Sequence, residues 1–371
     1  MKKVRVMSPY EGSLGLKMIE GIAEYMRLHE AWQLDIPGVT DSRQWPDVNE
    51  WEGDGIILPV VLKSTLESLT RIKIPFVNIT VRPGVPTVQN DNHAMGRMAA
   101  EHLLAQGYRN FAMITNRHMP FAVQRCEGFA EHLREKGWPV EMIDTHQSPG
   151  EIRDHFSRRR SRKDAFPMGV LIYSDLISPT VYQEIQALDY SIPEQVAVIG
   201  MDDRLIGLTL SPTLTSVVPD GFRLGFRAAE MLHMQFQGQR PPDAPILIPP
   251  MGINERGSTH AFGFEDEHVA AALKLIREHA KTGMLVDEVV RKVHLSRRNL
   301  ERRFEKNIGH TMWREMRRVQ IEHVKNLLVS TQWPIKRVAK ASAFPQPSRL
   351  TKIFREETGE TPLAYRKRHQ H

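Results

Sequence analysis

From Val4 to Gly200 the chain repeatedly sets a short apolar run against an amphipathic stretch of helical period, and that alternation leaves few folds open. Val4–Met7, Gly55–Pro59, Pro75–Ile79, Phe111–Ile114, Gly169–Tyr173 and Val196–Gly200 read as strands. Leu16–Leu28, Ala94–Gln106, Gln124–Lys136 and Ser178–Leu188 read as helices, two of them stopped by Gly107 and Gly137. Strands separated by helices are too far apart for hairpins, so they pair in parallel with helices on the faces. The expected class is α/β. In open parallel sheets ligands bind beyond the carboxyl ends of the strands. Those ends read Ser8-Pro9-Tyr10-Glu11, Asp91-Asn92, Ser174-Asp175 and Met201-Asp202-Asp203. Their carboxylates and amides accept hydroxyl hydrogen bonds and Arg125 donates, a set suited to a neutral polyol. A phosphate would require a glycine-rich loop opening a helix, and Gly12–Gly15 is a poor match. Asp at such a place also caps the following helix, and for any single one of them the two readings stand side by side.

A chain of 371 residues exceeds one ordinary core, and its charge divides it unequally. Residues 1–264 carry 27 Lys+Arg against 31 Asp+Glu, a net of −4, whereas residues 265–371 carry 23 against 13, a net of +10. A segment that basic attracts a polyanion by counterion release, and nucleic acid is the commonest such partner. Pro241-Pro242, Pro245 and Pro249-Pro250 punctuate the end of the first part, and 256–264 keeps neither helical nor strand period. The expected organisation is a sensor over 1–258, a linker over 259–265 and a helical domain over 266–371.

The basic part begins with an amphipathic helix, Glu265–Ala280, and then repeats one pattern. Asp287–Phe304 reads as a short helix, a turn near His294 and a second helix with Ser296 as N-cap; Ile335–Phe354 reads the same way, with a long helix, Met312–Ser330, between them. Leu300 and Phe304 share one face of the first such helix, Leu350 and Phe354 one face of the second, and both pairs should pack inward. The opposite faces present Arg298, Glu301 and Arg302, then Ser348, Thr351 and Lys352. Major-groove reading requires such a face: a helix narrow enough to enter, Arg to meet guanine, Glu to accept from cytosine, and flanking cations on phosphates.

Two resemblances add to this reading. Val88–Asn92 (VQNDN), Gly96–Arg109, Arg125–Phe129 (RCEGF), Val198–Asp203 (VIGMDD) and Ser211–Ser216 (SPTLTS) follow one another as in the effector domain of LacI-type repressors and periplasmic sugar-binding proteins, over nearly all of residues 3–258. That resemblance implies two lobes hinged about a sugar cleft, with sugar-contacting roles for Arg125, Ser174 or Asp175, and Asp202. Together with the strand ends, the candidate sugar-binding set is Tyr10, Asp91, Arg125, Ser174, Asp175 and Asp202. The sequence departs from that family where an Asp often ends the strand near Asn78–Thr80 and where Ser174 stands for an Asn. The tail Phe354–Lys367 resembles the AraC/XylS family, and that likeness covers 266–368. It implies two recognition helices in successive major grooves, with Arg298, Glu301, Arg302, Pro347, Ser348 and Lys352 as DNA-binding candidates. Both turns usually hold glycine; His294 and Ala343 stand there instead, at a cost of about 1 kcal/mol each if the turns are left-handed. Pro347 is tolerated if it falls at the first helical position.

The order of the two halves, with Ile248–Thr259 at the junction, resembles that of regulators of pentose operons, which implies D-xylose or a related pentose as effector. Homodimerisation, gene activation and contact with RNA polymerase are implications of family likeness. Sugar closing the cleft, and so changing how two copies pair on operator DNA, is the expected mechanism. Catalysis is the rival class, and the sequence offers it no nucleophile elbow, Walker motif or paired His ligands. The expectation is therefore no enzyme, no metal and no cofactor. Cys126, mid-helix and alone, reads as packed, and Arg158–Lys163 reads as a solvated loop. An N-terminal apolar run broken within a few residues, the absence of a bilayer-length stretch and the single cysteine lead to an expected cytoplasmic protein with no membrane partner.

Overall fold

Strands β1 (Lys3–Val6), β2 (Gln33–Asp35), β3 (Gly55–Leu58) and β4 (Phe76–Asn78) form a parallel sheet in the order β2-β1-β3-β4. This is a computed structural model, and it describes residues 1–7, 13–37, 47–60, 63–146, 148, 150–159, 166–259 and 266–369. Helices α1 (Ser13–Leu28) and α2 (Lys63–Ile72) alternate with these strands. Then come β5 (Val88–Asn90), α3 (Asn92–Ala105), β6 (Asn110–Thr115), α4 (Pro120–Glu135), β7 (Val140–Asp144), α5 (Gly150–Arg159), β8 (Met168–Ile172), α6 (Ser178–Gln186), β9 (Val196–Met201), β10 (Thr215–Val218), α7 (Gly221–Phe236), β11 (Ile246–Ile248) and β12 (Gly252–Asn254).

The second sheet runs β12-β10-β9-β8-β6-β7, parallel except where β12 pairs antiparallel with β10. Every residue of β8 and β9 is buried, as expected of strands covered on both faces. The chain passes from the first lobe to the second after β5 and returns with α7. Val88, Leu224 and Ile248 share a core with Val4 and Ile22, whereas Ile114, Val170 and Val198 share another with Phe156. A third short pair, β11 with β5, is parallel.

The chain divides into two units, Met1–Leu104 with Arg109–Ala261, and Ala105–Tyr108 with Phe262–His371. The helical unit contains α8 (Glu267–His279), α9 (Val286–Val293), α10 (Arg297–Ile308), α11 (Met312–Ser330), α12 (Ile335–Ala341), α13 (Pro347–Thr358) and α14 (Pro362–His369). Asp266 caps α8 by accepting from His268 N and Val269 N. One core joins α8, α9, α10 and the start of α11; another joins the rest of α11 to α12, α13 and Tyr365. Leu300, Phe304, Leu350 and Phe354 are buried in these cores, as their spacing predicts.

The Arg158–Lys163 run does not behave as one loop. Arg158 and Arg159 end α5, and Arg159 is buried in an ion pair with Glu141, Nε to Oε2 at 3.0 Å, while 160–165 lie outside the described residues. Cys126 is buried and free, and burial pushes its thiol up to about 11. Among the described residues no helix is long and apolar enough to cross a membrane, and no group of His, Cys, Asp and Glu is placed to hold a metal.

Candidate ligand site and nucleic-acid interface

Arg125 is set by a helix crossing. Gly96 of α3 and Gly128 of α4 face the opposite helix so closely that a Cβ on the first would meet the Arg125 carbonyl and one on the second the His93 carbonyl. The contact brings the Arg125 side chain beside Asn92 at the start of α3 and beneath the ends of β8 and β9. Its Nε donates to Asn92 Oδ1 at 3.0 Å, Nη1 to the Tyr173 carbonyl at 2.8 Å, and Nη2 to Asp202 Oδ1 at 2.8 Å. The Phe121 ring lies 5.1 Å from the guanidinium carbon. Ser174 Oγ donates to the other Asp202 oxygen at 3.2 Å, and Asn92 Nδ2 to Gln124 Oε1 at 3.1 Å. Burial alone would push the Asp202 carboxyl up, but the Arg125 guanidinium reverses this and holds it below the usual carboxylate range.

Of the candidate sugar residues, Arg125, Ser174 and Asp202 therefore meet in one network. Asp175 does not join this network. It has no exposed surface, and its oxygens accept from Ser216 Oγ at 2.9 and 3.0 Å and from Arg204 N at 2.8 Å. The reason is local: Ser174 caps the 3-10 turn Asp175–Ile177, accepting from Leu176 N at 3.4 Å, and the next side chain points into the sheet. Burial first, and then the Asp202 charge, push the Asp175 carboxyl up to about 7. Asp91 caps α3 through Ala94 N at 2.9 Å, while its own N–H bonds the Ile248 carbonyl at the lobe crossing. Tyr10 lies outside the described residues. Asn78, at the departure from the LacI pattern, is buried; it accepts from Val60 N at 2.8 Å and donates to Thr87 Oγ1 at 3.0 Å.

The sequence grouped Asp203 with Asp202, yet the two diverge. Asp202 and Asp203 take φ of 94° and 48°, a left-handed pair of non-glycine residues costing about 1–3 kcal/mol each and held by surrounding bonds. Asp203 turns to Arg256 and Asn254, each at 2.6 Å.

In the helical unit Arg298 and Arg302 of α10 are exposed, as are Pro347, Ser348 and Lys352 of α13. Glu301 is engaged by Arg297 at 2.9 Å, and the same arginine holds Asp287 at 2.7 Å. The Glu301 carboxylate is thus already engaged on this face. Ser296 is the N-cap of α10, but its side chain makes no capping bond. Pro347 stands in the first turn of α13, where its missing N–H costs nothing. His294 and Ala343 take φ of 56° and 59°, so both turns are left-handed without glycine. The sequence reading omitted Arg297, Arg349 and the half-exposed Trp313, which line or neighbour the same faces; helical spacing places Arg349 beside Lys352, three positions on.

An α/β ligand-binding unit with a buried polar cluster at its strand ends, followed by a basic pair of helix-turn-helix units, defines a class: the sugar-sensing transcription regulators. Profiles described as a periplasmic binding protein-like domain and as the periplasmic binding proteins and sugar binding domain of the LacI family match residues 100–259 and 17–158, and a helix-turn-helix domain matches 289–368. Across nearly its whole length the chain is a homologue of xylose operon regulatory proteins. It is 27% identical to that of Escherichia coli (strain K12) over 366 residues, covering 94% of this chain and 93% of that protein. To that of Haemophilus influenzae it is 27% identical over 372 residues, covering 94% of each. The solved structure of the xylose-binding transcription activator xylR matches with a TM-score of 0.61 at 24% identity, covering 100% of this chain and 99% of that one. The chain is a sugar-sensing helix-turn-helix transcription regulator and not an enzyme.

Proposed function

We propose that D-xylose, or a related pentose, is the effector of this regulator, that the sugar binds at the Arg125–Asp202 cluster, and that it governs activation of transcription from operator DNA. The observation that carries this reading is the order of the two domains in one chain, shared with the xylose operon regulatory proteins over 94% of its length. Arg125, Ser174 and Asp202 are the direct contacts in this proposal: they supply donors and acceptors side by side at one strand end. Asp175 supports the backbone after Asp202 by accepting from Arg204 N and holding Ser216 Oγ, which accepts from Asp203 N; Asp91 sets the start of α3, and Tyr10 follows β1 in sequence. Arg298, Arg302, Glu301, Ser348 and Lys352 read or flank base edges, with Pro347 fixing the start of α13. The same reading includes a homodimer on DNA, a cytoplasmic protein and contact with RNA polymerase. Activation is proposed because the similar solved protein, xylR, is a xylose-binding transcription activator.

A thermal-unfolding panel tests the effector, because a ligand selective for the folded state raises its midpoint. D-xylose is expected to raise Tm, with L-arabinose, D-ribose, D-glucose and sugar phosphates doing less. A rise with another sugar alone would transfer the regulator to another pathway, and no rise with any of them would refute the effector class.

A further inference from the structure

Asp202 and Asp203 are consecutive, and their carboxylates serve different neighbours. Asp202 holds Arg125 in the ligand cluster. Asp203 Oδ1 accepts from Arg256 Nη2 and its Oδ2 from Asn254 Nδ2, both at 2.6 Å. Both backbones take a positive φ, 94° and 48°, which non-glycine residues rarely adopt, and the two share a peptide bond, so a change at one bears directly on the next.

Arg256 is fixed on its other sides as well. Its Nη1 donates to the Leu214 carbonyl at 2.8 Å and its backbone N–H to Thr215 Oγ1 at 2.9 Å. Farther on, Ser258 Oγ accepts from Thr215 N at 2.8 Å and donates to the Val198 carbonyl at 2.6 Å. The Thr259 hydroxyl meets Thr215 Oγ1 at 2.8 Å and His102 Nε2 at 2.9 Å. The stretch 254–259 is thus tied to the strands that end at the ligand cluster. It is also the last described stretch before the residues that run on to α8. A single ion pair, Arg256–Asp203, spans 53 positions of sequence to make this stretch the immediate neighbour of Asp202.

We propose that the Asp203–Arg256 pair couples occupancy of the Arg125–Asp202 cluster to the segment by which the sensor continues into its DNA reader. Sugar hydroxyls compete with Arg125 and Ser174 for the Asp202 carboxylate. The Asp202 backbone readjusts, Asp203 follows, and Arg256 exchanges between a state held by Asp203 and a state released from it. Arg256 is a positioning residue in this scheme: it touches no sugar and acts through Asp203. The two states are the bistable element that ligand binding and DNA binding each bias, which is what coupling between sites requires.

This coupling rests on the effector reading above, and the experiment separates the two. Full-length wild type, R256M and D203N are titrated with D-xylose, and with a DNA duplex selected by the wild type from a random pool, with and without saturating D-xylose at one salt concentration. Wild type is expected to change its duplex affinity by about fivefold or more when D-xylose is added. R256M and D203N are expected to keep binding D-xylose, no more weakly than wild type because the pair no longer has to be released, and to bind the duplex with an affinity that sugar no longer changes. The double variant D203N/R256M is expected to be no worse than either single one. Retained D-xylose binding shows that the sensor is folded, and D203N, which alters no volume, carries the test if R256M fails to fold. A merely structural clamp would lower Tm in the variants and leave the sugar response intact, and that result overturns the coupling alone. No response in wild type overturns the effector reading, and the coupling with it.

Discussion

Arg125 Nη2 and Asp202 Oδ1 lie 2.8 Å apart with side chains only 4% and 7% exposed, so a full ion pair is buried at the end of β9. Two charges taken from water stabilise a fold little in themselves, but a lone survivor of the pair is costly. In the proposed function the pair is a binding element rather than a strut. Asn92, Tyr173 and Ser174 complete its hydrogen bonds.

Replacing Asp202 by Asn leaves Arg125 buried without its counterion. The expected cost is about 3 kcal/mol, which lowers the sensor's Tm by roughly 6–12 °C. D-xylose should then no longer raise Tm. In R125M/D202N, where both charges are gone, much of the lost Tm should return while sugar binding does not. Differential scanning calorimetry with and without D-xylose measures both effects.

Asp175 makes stability depend on pH in a direction opposite to ordinary surface carboxylates. Its folded-state value, about 7, lies above its usual 3.8, so the folded protein binds more protons than the unfolded chain between those values. Stability from this group is fully present below about pH 4 and is lost as pH rises to about 7, by up to about 4 kcal/mol. Urea unfolding of wild type and D175N at pH 5 and pH 7.5 checks this: the difference between the two proteins should change with pH in that sense.

His294 and Ala343 occupy left-handed turns that glycine adopts without strain. H294G and A343G should each stabilise the helical unit by about 1 kcal/mol, seen as a higher denaturation midpoint at unchanged slope. DNA affinity at low temperature should be the same as in wild type.

Arg298 and Arg302 project from α10 on the face opposite Leu300 and Phe304. R298A and R302A should each weaken binding to a selected duplex by about 1–3 kcal/mol and relax preference at one base position. K352A should act similarly at the other half of the site. None should alter the Tm rise given by D-xylose; a loss of both would mean that the arginine holds the fold together.

Much of this was legible in the sequence. β8 and β9 announce themselves as uninterrupted apolar runs because both faces are covered, and the repeated spacing of Leu300/Phe304 and Leu350/Phe354 fixes which faces of α10 and α13 point inward. The basic tail and the glycine-free turns at His294 and Ala343 were within reach, and Arg125 and Asp202 stood in one candidate set, but their direct pairing did not show. Other features were not within reach. Helix α7 carries Gly221 and Gly225, which weaken its helical signature, yet they are what lets it lie against α1. Strands of three residues such as β2, β5 and β11 are shorter than any periodicity can register. Ser174 and Asp175 are adjacent and both polar, and only the 3-10 turn between β8 and α6 decides that one joins the cluster and the other is buried. Arg256 and Asp203 lie 53 positions apart, and no local pattern pairs them.

The central claim is that one sugar bound in the sensor changes what the helical unit does to DNA. Its most direct test is the affinity of the full-length protein for D-xylose, measured free and then saturated with its selected duplex at the same salt concentration. Linkage requires DNA to change sugar affinity by the factor by which sugar changes DNA affinity. The account predicts a shift of about fivefold or more, equal in both directions. Tight binding of both ligands with no shift in either would contradict it.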